Sequence, residues 1–423
     1  MSFRAVYSRI VKFSGQKRPQ SRDRDAKEEK SGVGASLKCD VMIVGAGLAG
    51  ASLACALRGL GMKIVVIESH PPRAQTQSWD ERVYALSPAS QTFLDELGLW
   101  GHLAQDRIEA VSAMRIFGDD GNSRLEFSAY QCAVDRLASI VESGAVHRAL
   151  WRALETSRDI TLLCPSAAKN ISWGNHACEV VLNDGESVVA KLVVAADGMH
   201  SMVRAAAGIE ARITPAGQHA VVANFTCSLP HRGLACQWFG EDGVLAWLPL
   251  PGRAVSMVWS THEQLSEEMM QCGAQALCER VVKAGGGMLG EFDLIGGPAA
   301  FPLAWLSVDH RVRERLALIG DAAHVVHPLA GQGINLGLGD ARELALQLRL
   351  ANERGGDPGE LLYLRKFERA RAEAILAMRI ATRSLKGLFE PRGIAVAKLR
   401  NMGLNLTHRT VVIKNMLARH AMG

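Results

Sequence analysis

The stretch CDVMIVGAGLAGASLACALRGLGMKIVVIES, residues 39–69, constrains the fold of this chain more than any other. CDVMIVG is apolar without polar alternation, the pattern of a strand buried on both faces. AGLAG predicts a tight turn, ASLACALRGLG a helix closing at Gly61, and KIVVIES a second buried strand. A strand–helix–strand unit joins parallel strands, so the expected fold is α/β with a doubly wound parallel sheet. Gly45, Gly47 and Gly50 have the G-x-G-x-x-G spacing. The first glycine permits the turn, the second lets backbone approach a pyrophosphate, and the third lets helix and strand pack closely. Phosphate charge then meets the free N–H groups and dipole of the helix N-terminus. Glu68 ends the second strand, where a carboxylate accepts hydrogen bonds from ribose hydroxyls. The glycines do not distinguish NAD from FAD.

The apolar run 41–57 has 17 residues and three glycines near its start, short of the ~20 that a spanning helix needs. Neither a membrane span nor a secretory signal is expected. Residues 1–38 are polar and basic and read as a disordered leader, either an organelle transit peptide or an extension of a bacterial protein. Nine cysteines occur without a C-x-x-C pair. This argues against zinc ribbons, iron–sulfur centres and disulfide scaffolds, and fits a reducing compartment.

Charge is unevenly spread. Residues 1–22 carry six Lys/Arg and no acid, and residues 361–423 carry thirteen against three acids. The middle is therefore acidic and the ends basic. A basic, partly apolar tail suits an anionic lipid surface or an acidic partner, and equally a solvated helical face. With no basic stripe through the middle, nucleic acid is not an expected partner.

Further along, Ser87 and Pro88 open a predicted helix over 87–103. Residues 113–129 read as a hairpin around Asp120-Gly121, and 137–155 as an amphipathic helix. Residues 178–198 read as a hairpin followed by a buried strand, and 212–260 alternate as antiparallel strands. RLALIGDAAH predicts another buried strand, GINLGLGDARELALQLRLAN a long helix, and 361–400 more helix.

Two later segments, VVAADGMHSMVR (193–204) and RLALIGDAAHVVHPLAGQGINLG (315–337), resemble the second and third fingerprints of the aromatic-ring hydroxylase flavoproteins. Together with the glycine loop they point to FAD. Within that family, DERVYALSPAS (80–90), GDAAHVVHPLAGQGINLGLGDA (320–341), LLYLRKFERARAEA (361–374) and the ending RNMGL…VIKNMLARHAMG resemble the ubiquinone-biosynthesis hydroxylases. The resemblance spans about 39–423. It implies a Rossmann-like FAD-binding domain built from 39–113, 129–208 and 300–348, interrupted by an antiparallel-sheet substrate domain from 114–128 and 209–299. A helical region, 349–423, ends the chain.

The resemblance also implies roles. Asp197-Gly198 lies near FAD and the nicotinamide donor, Gly320-Asp321 holds the ribityl chain, and Arg82 of the D-x-R pattern contacts FAD. Asn335 joins the cofactor-binding residues. Pro328 stiffens the turn that follows. Gly331, Gln332 and Gly333 let bare backbone approach the ring, and their N–H groups start a helix whose positive end stabilises the anionic reduced isoalloxazine. His324 and His327 have ligand-like spacing but no identifiable third ligand, so a metal site is not expected. One departure stands out. In VESGAVHRAL (141–150), Ser143-Gly144 replaces the Asn-Arg of many relatives, on a helix that commonly approaches the flavin. Trp238, Phe239, Trp247 and Trp259 offer apolar surface to a substrate, although core packing is the commoner role of any one of them.

The implied activity is a single-component FAD monooxygenase that uses NAD(P)H and dioxygen to hydroxylate an electron-rich phenol carrying a polyprenyl tail. No second glycine loop serves the nicotinamide. The alternatives are a hydroxylase of another aromatic compound and a flavin-dependent isoprenoid reductase. A place in a ubiquinone-biosynthesis complex or at a membrane surface follows from the resemblance and the basic tail. The expected location is the cytoplasm, at the inner face of the inner membrane, or the mitochondrial matrix if the leader is a transit peptide.

Overall fold

The computed structural model describes residues 36–74, 78–120, 123–327 and 333–389, with side chains as far as 382. The strand Leu37–Val44, the helix Leu48–Ala56 and the strand Ile64–Ile67 form the βαβ unit. Every residue of Ile64–Ile67 is buried, as expected for a strand covered on both faces. The sheet runs Val312–Arg313, Leu316–Leu318, Ser187–Ala195, Leu37–Val44, Ile64–Ile67, Ile160–Leu163. Ser187–Ala195 is long enough to share one edge between two partners. Its first half pairs antiparallel with Cys178–Leu182, and its last three residues pair parallel with Leu316–Leu318.

Apolar clusters cover both faces of this sheet. On one side Leu53, Leu57, Leu150, Leu344 and Phe367 join helices Leu48–Ala56, Ser143–Glu155, Gly333–Glu353 and Leu361–Phe389 to the strands. On the other, Met42, Val193 and Leu318 pack with Ile209, Leu306 and Val308. The last three belong to the chain entering and leaving the second sheet, so its long strands are rooted in the first core.

The second sheet has eight strands in the order His324–Val325, Phe292–Val308, Ala211–Cys227, Ala254–Thr261, Gly243–Leu250, Leu234–Gly240, Ala113–Phe117, Arg124–Ser128. Ala113–Phe117 and Arg124–Ser128 are the expected hairpin; its turn residues Gly121 and Asn122 lie outside the described residues. Helices Glu263–Gln271 and Ala274–Ala284 pack on one face with Trp247, Trp259 and Phe225. A three-stranded sheet, Val83–Leu86, Ala138–Glu142 and Glu109–Val111, is a further layer.

Two expectations change. Residues 137–155 are not one helix: Ala138–Glu142 is a strand, and the helix begins at Ser143. The run SIVE is buried and pairs on both sides, with Val83–Leu86 and Glu109–Val111, which overrides its helical spacing. The helix expected over 87–103 ends at Glu96. Gly98 takes φ +74° after it, and Trp100–His102 is a short 3₁₀ turn. Its start is as read, with Ser87 Oγ accepting from Ser90 N at 3.2 Å and Pro88 in the first turn.

Candidate active site

One transverse row of the parallel sheet sets the site. Leu163, Ile67, Val44, Ala195 and Leu318 are register partners across five strands. The chain leaving four of the five strands carries a recognised segment: Glu68 after Ile67, Gly45–Gly50 after Val44, Asp197-Gly198 after Ala195, and Gly320-Asp321 after Leu318. Open α/β sheets bind ligands at the carboxyl ends of their strands, and this row gathers residues nearly three hundred positions apart onto such an edge.

Steric limits explain the glycines. Gly45 takes φ +101°, and a Cβ there would lie 2.4 Å from Ala196 O. A Cβ on Gly50 would lie 2.1 Å from Gly45 O. Gly47 is different: nothing among the described residues lies within 4 Å of the position its Cβ would take. Gly45 and Gly50 are therefore required by the fold itself, whereas Gly47 leaves space open. Gly47 also caps the helix Leu48–Ala56, which has no side-chain cap and no acid in its first turn. An uncapped helix start beside open space is an anion cradle.

Glu68 is half-buried. Its Oε2 accepts from Ala46 N at 2.8 Å, and Oε1 accepts from Ser69 N at 2.8 Å. These bonds fix the carboxylate against the glycine loop, and an ionised carboxylate has lone pairs to spare for ribose hydroxyls. Asp197 Oδ2 accepts from Val203 N at 3.2 Å, while its Oδ1 is buried with no partner among the described residues. A buried carboxylate oxygen left unmatched among fixed partners calls for a donor from elsewhere. Asp321 keeps solvent-accessible surface, yet protein crowds it enough to raise its carboxyl above the ordinary range, with His324 and Arg82 opposing. Accessible but crowded describes a residue on the floor of a cleft.

Side chains unremarked in the sequence tie these segments together. Arg204, buried, donates from Nη1 to Ala322 O and from Nη2 to Met199 O, both at 2.8 Å, linking the second fingerprint to the third. Burial lowers its pKa and the charge of Asp197 opposes. Asp340 is fully buried in the helix Gly333–Glu353. Its Oδ2 accepts from Gly320 N at 3.0 Å and lies 2.6 Å from His324 Nε2; its Oδ1 accepts from Arg371 Nε at 2.8 Å. Burial alone would raise this carboxyl, but His324 and Arg371 outweigh it and hold the carboxyl below its ordinary range. Their partners were legible only as an acid inside an otherwise apolar helical face, flanked by Leu336, Ala341 and Leu344. His324 thus belongs to a buried ion network, and His327 Nε2 lies 3.1 Å from Gln218 Oε1.

Arg82 is accessible, with its guanidinium 4.4 Å from the centre of the Phe301 ring, and Tyr84 stands beside it. Asp80 anchors the Arg82 loop three ways, and Arg82 adds a fourth bond through its own carbonyl. Its N donates to Glu142 Oε1 at 2.7 Å, its Oδ2 accepts from Gly144 N at 2.7 Å, its O accepts from Asn224 Nδ2 at 2.9 Å, and Ser143 N donates to Arg82 O at 3.1 Å. The departure at Ser143-Gly144 is explained here. A Cβ at Gly144 would lie 2.6 Å from Asp80 Oδ2 and 2.6 Å from an Arg148 nitrogen. Further along the same helix His147 Nε2 lies 2.9 Å from Ala46 O, within the glycine loop.

Gly333 opens the helix Gly333–Glu353, whose first turn holds no acid. The side chain of Asn335 is already engaged: Oδ1 accepts from Ser87 N at 3.0 Å and Nδ2 donates to Ala85 O at 2.9 Å, so it pins this helix to the strand Val83–Leu86. Pro328, Gly331 and Gln332 lie outside the described residues. Trp238, Trp247 and Trp259 belong to the core under helices Glu263–Gln271 and Ala274–Ala284. By alternation Phe239 falls on the other face of the same sheet, where it is buried. The accessible part of that face is small and apolar, with Ala246, Val258 and Ala299 half-buried.

The glycine cradle, the uncapped helix and the unmatched Asp197 oxygen fit FAD. Comparisons with known proteins agree. The model of the FAD binding domain matches residues 38–378. Ubiquinone hydroxylase UbiL of Rhodospirillum rubrum is 35% identical over 91% of this chain and 89% of its own length. The 3-demethoxyubiquinol 3-hydroxylase of Escherichia coli is 30% identical over 91% of this chain and 98% of its own. Human ubiquinone biosynthesis monooxygenase COQ6, mitochondrial, is 30% identical over 92% and 94%. The solved structure of p-nitrophenol 4-monooxygenase PnpA from Pseudomonas putida superposes with a TM-score of 0.75 over 92% of this chain and 99% of that one; at 18% identity the likeness is one of fold. The chain belongs to the FAD-dependent monooxygenases, in the family that includes the ubiquinone-biosynthesis hydroxylases.

Proposed function

We propose that this protein hydroxylates the aromatic ring of a polyprenylated phenol or quinol intermediate in ubiquinone biosynthesis, with dioxygen as oxygen source and NAD(P)H as reductant. The observation that carries this reading is the near-full-length likeness to ubiquinone hydroxylase UbiL. When bound, FAD supplies the hydride-accepting and oxygen-activating chemistry. The chain's own residues do the rest. Gly45, Gly47 and Gly50 with the start of the helix Leu48–Ala56 hold the pyrophosphate, and Glu68 the ribose. Asp197 and Asp321 accept from hydroxyls of the chain between them, with Gly198 and Gly320 giving close approach. Asn335 and Asp340 position the helix that starts at Gly333, and its N-terminal N–H groups would stabilise negative charge on a bound flavin, the role that the sequence also gives to Pro328, Gly331 and Gln332. Arg82, accessible and held by Asp80, would contact the cofactor. The small apolar face around Ala246, Val258 and Ala299 receives the prenylated ring and excludes water.

The test is the quinone-lipid profile of cells lacking the protein, read by mass spectrometry. An accumulating prenylphenol short of one ring oxygen is the expected result, and its structure names the ring position. A precursor short of two hydrogens would move the assignment to a reductase, and unchanged ubiquinone would remove the pathway from the reading. The basic segment from 361 onward supports a position at an anionic membrane surface, within a biosynthetic complex, on the inner face of the inner membrane or in the matrix. No helix among the described residues is long and apolar enough to cross a membrane.

A further inference from the structure

A second concavity, of about 400 Å³, lies against the helix Ser143–Glu155. Ala145, Arg148, Ala149, Arg152 and Thr156 line it and form one stripe of that helix. At 3.6 residues per turn, His147, which reaches the glycine loop, is on the opposite side. The concavity is therefore separate from the flavin cleft.

Its composition is divided. The floor is apolar, from Leu97, Leu99, Leu103, Ile108 and Val141, and the rim carries Arg58, Arg107, Arg148 and Arg152. Glu142 is the one carboxylate in the lining, and it is taken: Arg107 donates to it from Nε at 2.6 Å and from Nη2 at 2.8 Å. Among the described residues Arg58 donates to the backbone carbonyls Cys55 O and Leu97 O. Asp80, nearby, caps Gly144 N rather than pairing with Arg148. Arg148 and Arg152 are four residues apart on one helical face, where like charges repel. Three guanidinium groups without a carboxylate partner among the described residues thus converge over an apolar floor.

We propose that this cleft binds a phosphate ester with an apolar body, the phosphate on Arg148 and Arg152 and the body on the leucine floor. Guanidinium forks match phosphate oxygens in pairs. The volume lies within the range of small-molecule sites. A nucleotide and a phospholipid headgroup share this chemistry. The cleft wall and the Arg82 loop share one carboxylate, because Glu142 bonds both Arg107 and Asp80 N.

Calorimetry on the FAD-loaded, full-length protein tests this, with ADP, dihexanoyl phosphatidic acid and inorganic phosphate as separate probes at low salt. Binding of either ester is expected, tighter than inorganic phosphate, and weakened at least about tenfold in the Arg148→Ala/Arg152→Ala protein at unchanged FAD content. Ala149→Trp fills the stripe while leaving both arginines, and is expected to block the esters. Should the double variant not retain FAD, Ala149→Trp alone decides. ADP binding assigns the site to nucleotides, and phosphatidic acid binding assigns it to lipid. The proposal is overturned if neither ester binds, if affinity is the same in the variants, or if inorganic phosphate binds as tightly as the esters.

Discussion

Two glycines of one loop separate fold from ligand. A methyl group on Gly50 collides with the Gly45 carbonyl, at 2.1 Å, whether or not FAD is present. Gly50→Ala is therefore expected to lower the melting temperature of the FAD-free protein. Gly47→Ala meets nothing within 4 Å among the described residues, so the FAD-free melting temperature should hold while FAD affinity falls by at least about tenfold, because the methyl occupies the approach to the pyrophosphate. Fluorescence titration with FAD and melts of the stripped proteins check both. Equal loss of stability in the two variants would contradict the distinction. Asp340 is the third residue whose role is sharply defined. Removing one partner of a buried, hydrogen-bonded ion network costs about 3–5 kcal/mol, and Asp340→Asn should cost in that range at neutral pH in urea unfolding. The sign with pH follows from the lowered carboxyl. Its contribution is present above the ordinary carboxylate range, near pH ~4, and is lost as the pH falls through its lower folded value. The gap between wild type and Asp340→Asn should narrow on acidification; a gap constant with pH would mean that the charge of Asp340 is irrelevant. The glycine spacing made the first pair readable from sequence. Asp340 was readable only as an anomaly, since its partners His324 and Arg371 come from other elements.

Among the elements, the helix Ser143–Glu155 has the most dependents. Its first turn binds the Asp80 carboxylate, its middle reaches Ala46 through His147, and its outer stripe lines the arginine cleft. Gly144 is what lets Asp80 close on the helix start, an N-terminal cap supplied from another loop. Restoring the arginine of many relatives, Gly144→Arg, places a Cβ 2.6 Å from Asp80 Oδ2. The cap must open, at a cost of about 1 kcal/mol, and the Arg82 loop shifts with it. The expected outcome is a lower melting temperature together with weaker FAD binding. Gly144→Arg with Asp80→Ala removes the collision with Asp80 and leaves only the flexible end of Arg148 to move aside, so stability should be no lower than in Asp80→Ala alone while the loop stays unanchored. Full recovery of FAD affinity in that double variant would show that Asp80 does not position Arg82. The strand Ala138–Glu142 preceding this helix was hidden from sequence by the helical spacing of its residues, and only the two strands that flank it decide its state.

At the scale of the whole molecule, the order of segments proved more informative than any one of them. The glycine loop fixed the βαβ unit, but the site exists because Val44, Ala195 and Leu318 fall in one register row, a long-range pairing that spacing along the chain does not contain. Charge also acts at this scale. Basic residues gather in the first 22 positions and from 361 onward, while the stretch between them is acidic. An anionic surface attracts the ends and repels the middle, which orients the molecule as well as binding it. Vesicles of phosphatidylcholine with phosphatidylglycerol are therefore expected to capture the protein at low ionic strength, and vesicles of phosphatidylcholine alone are not. Capture should decline as salt shortens the Debye length from about 30 Å at 0.01 M to about 8 Å at 0.15 M. Truncation after residue 389 removes part of the basic segment and should shift the salt midpoint downward without changing FAD content. Cosedimentation across a salt series reads both effects. Equal capture by neutral vesicles would mean that apolar surface rather than charge holds the protein, and no capture by either would detach the proposed function from the membrane and leave the substrate's prenyl tail to be delivered by a partner.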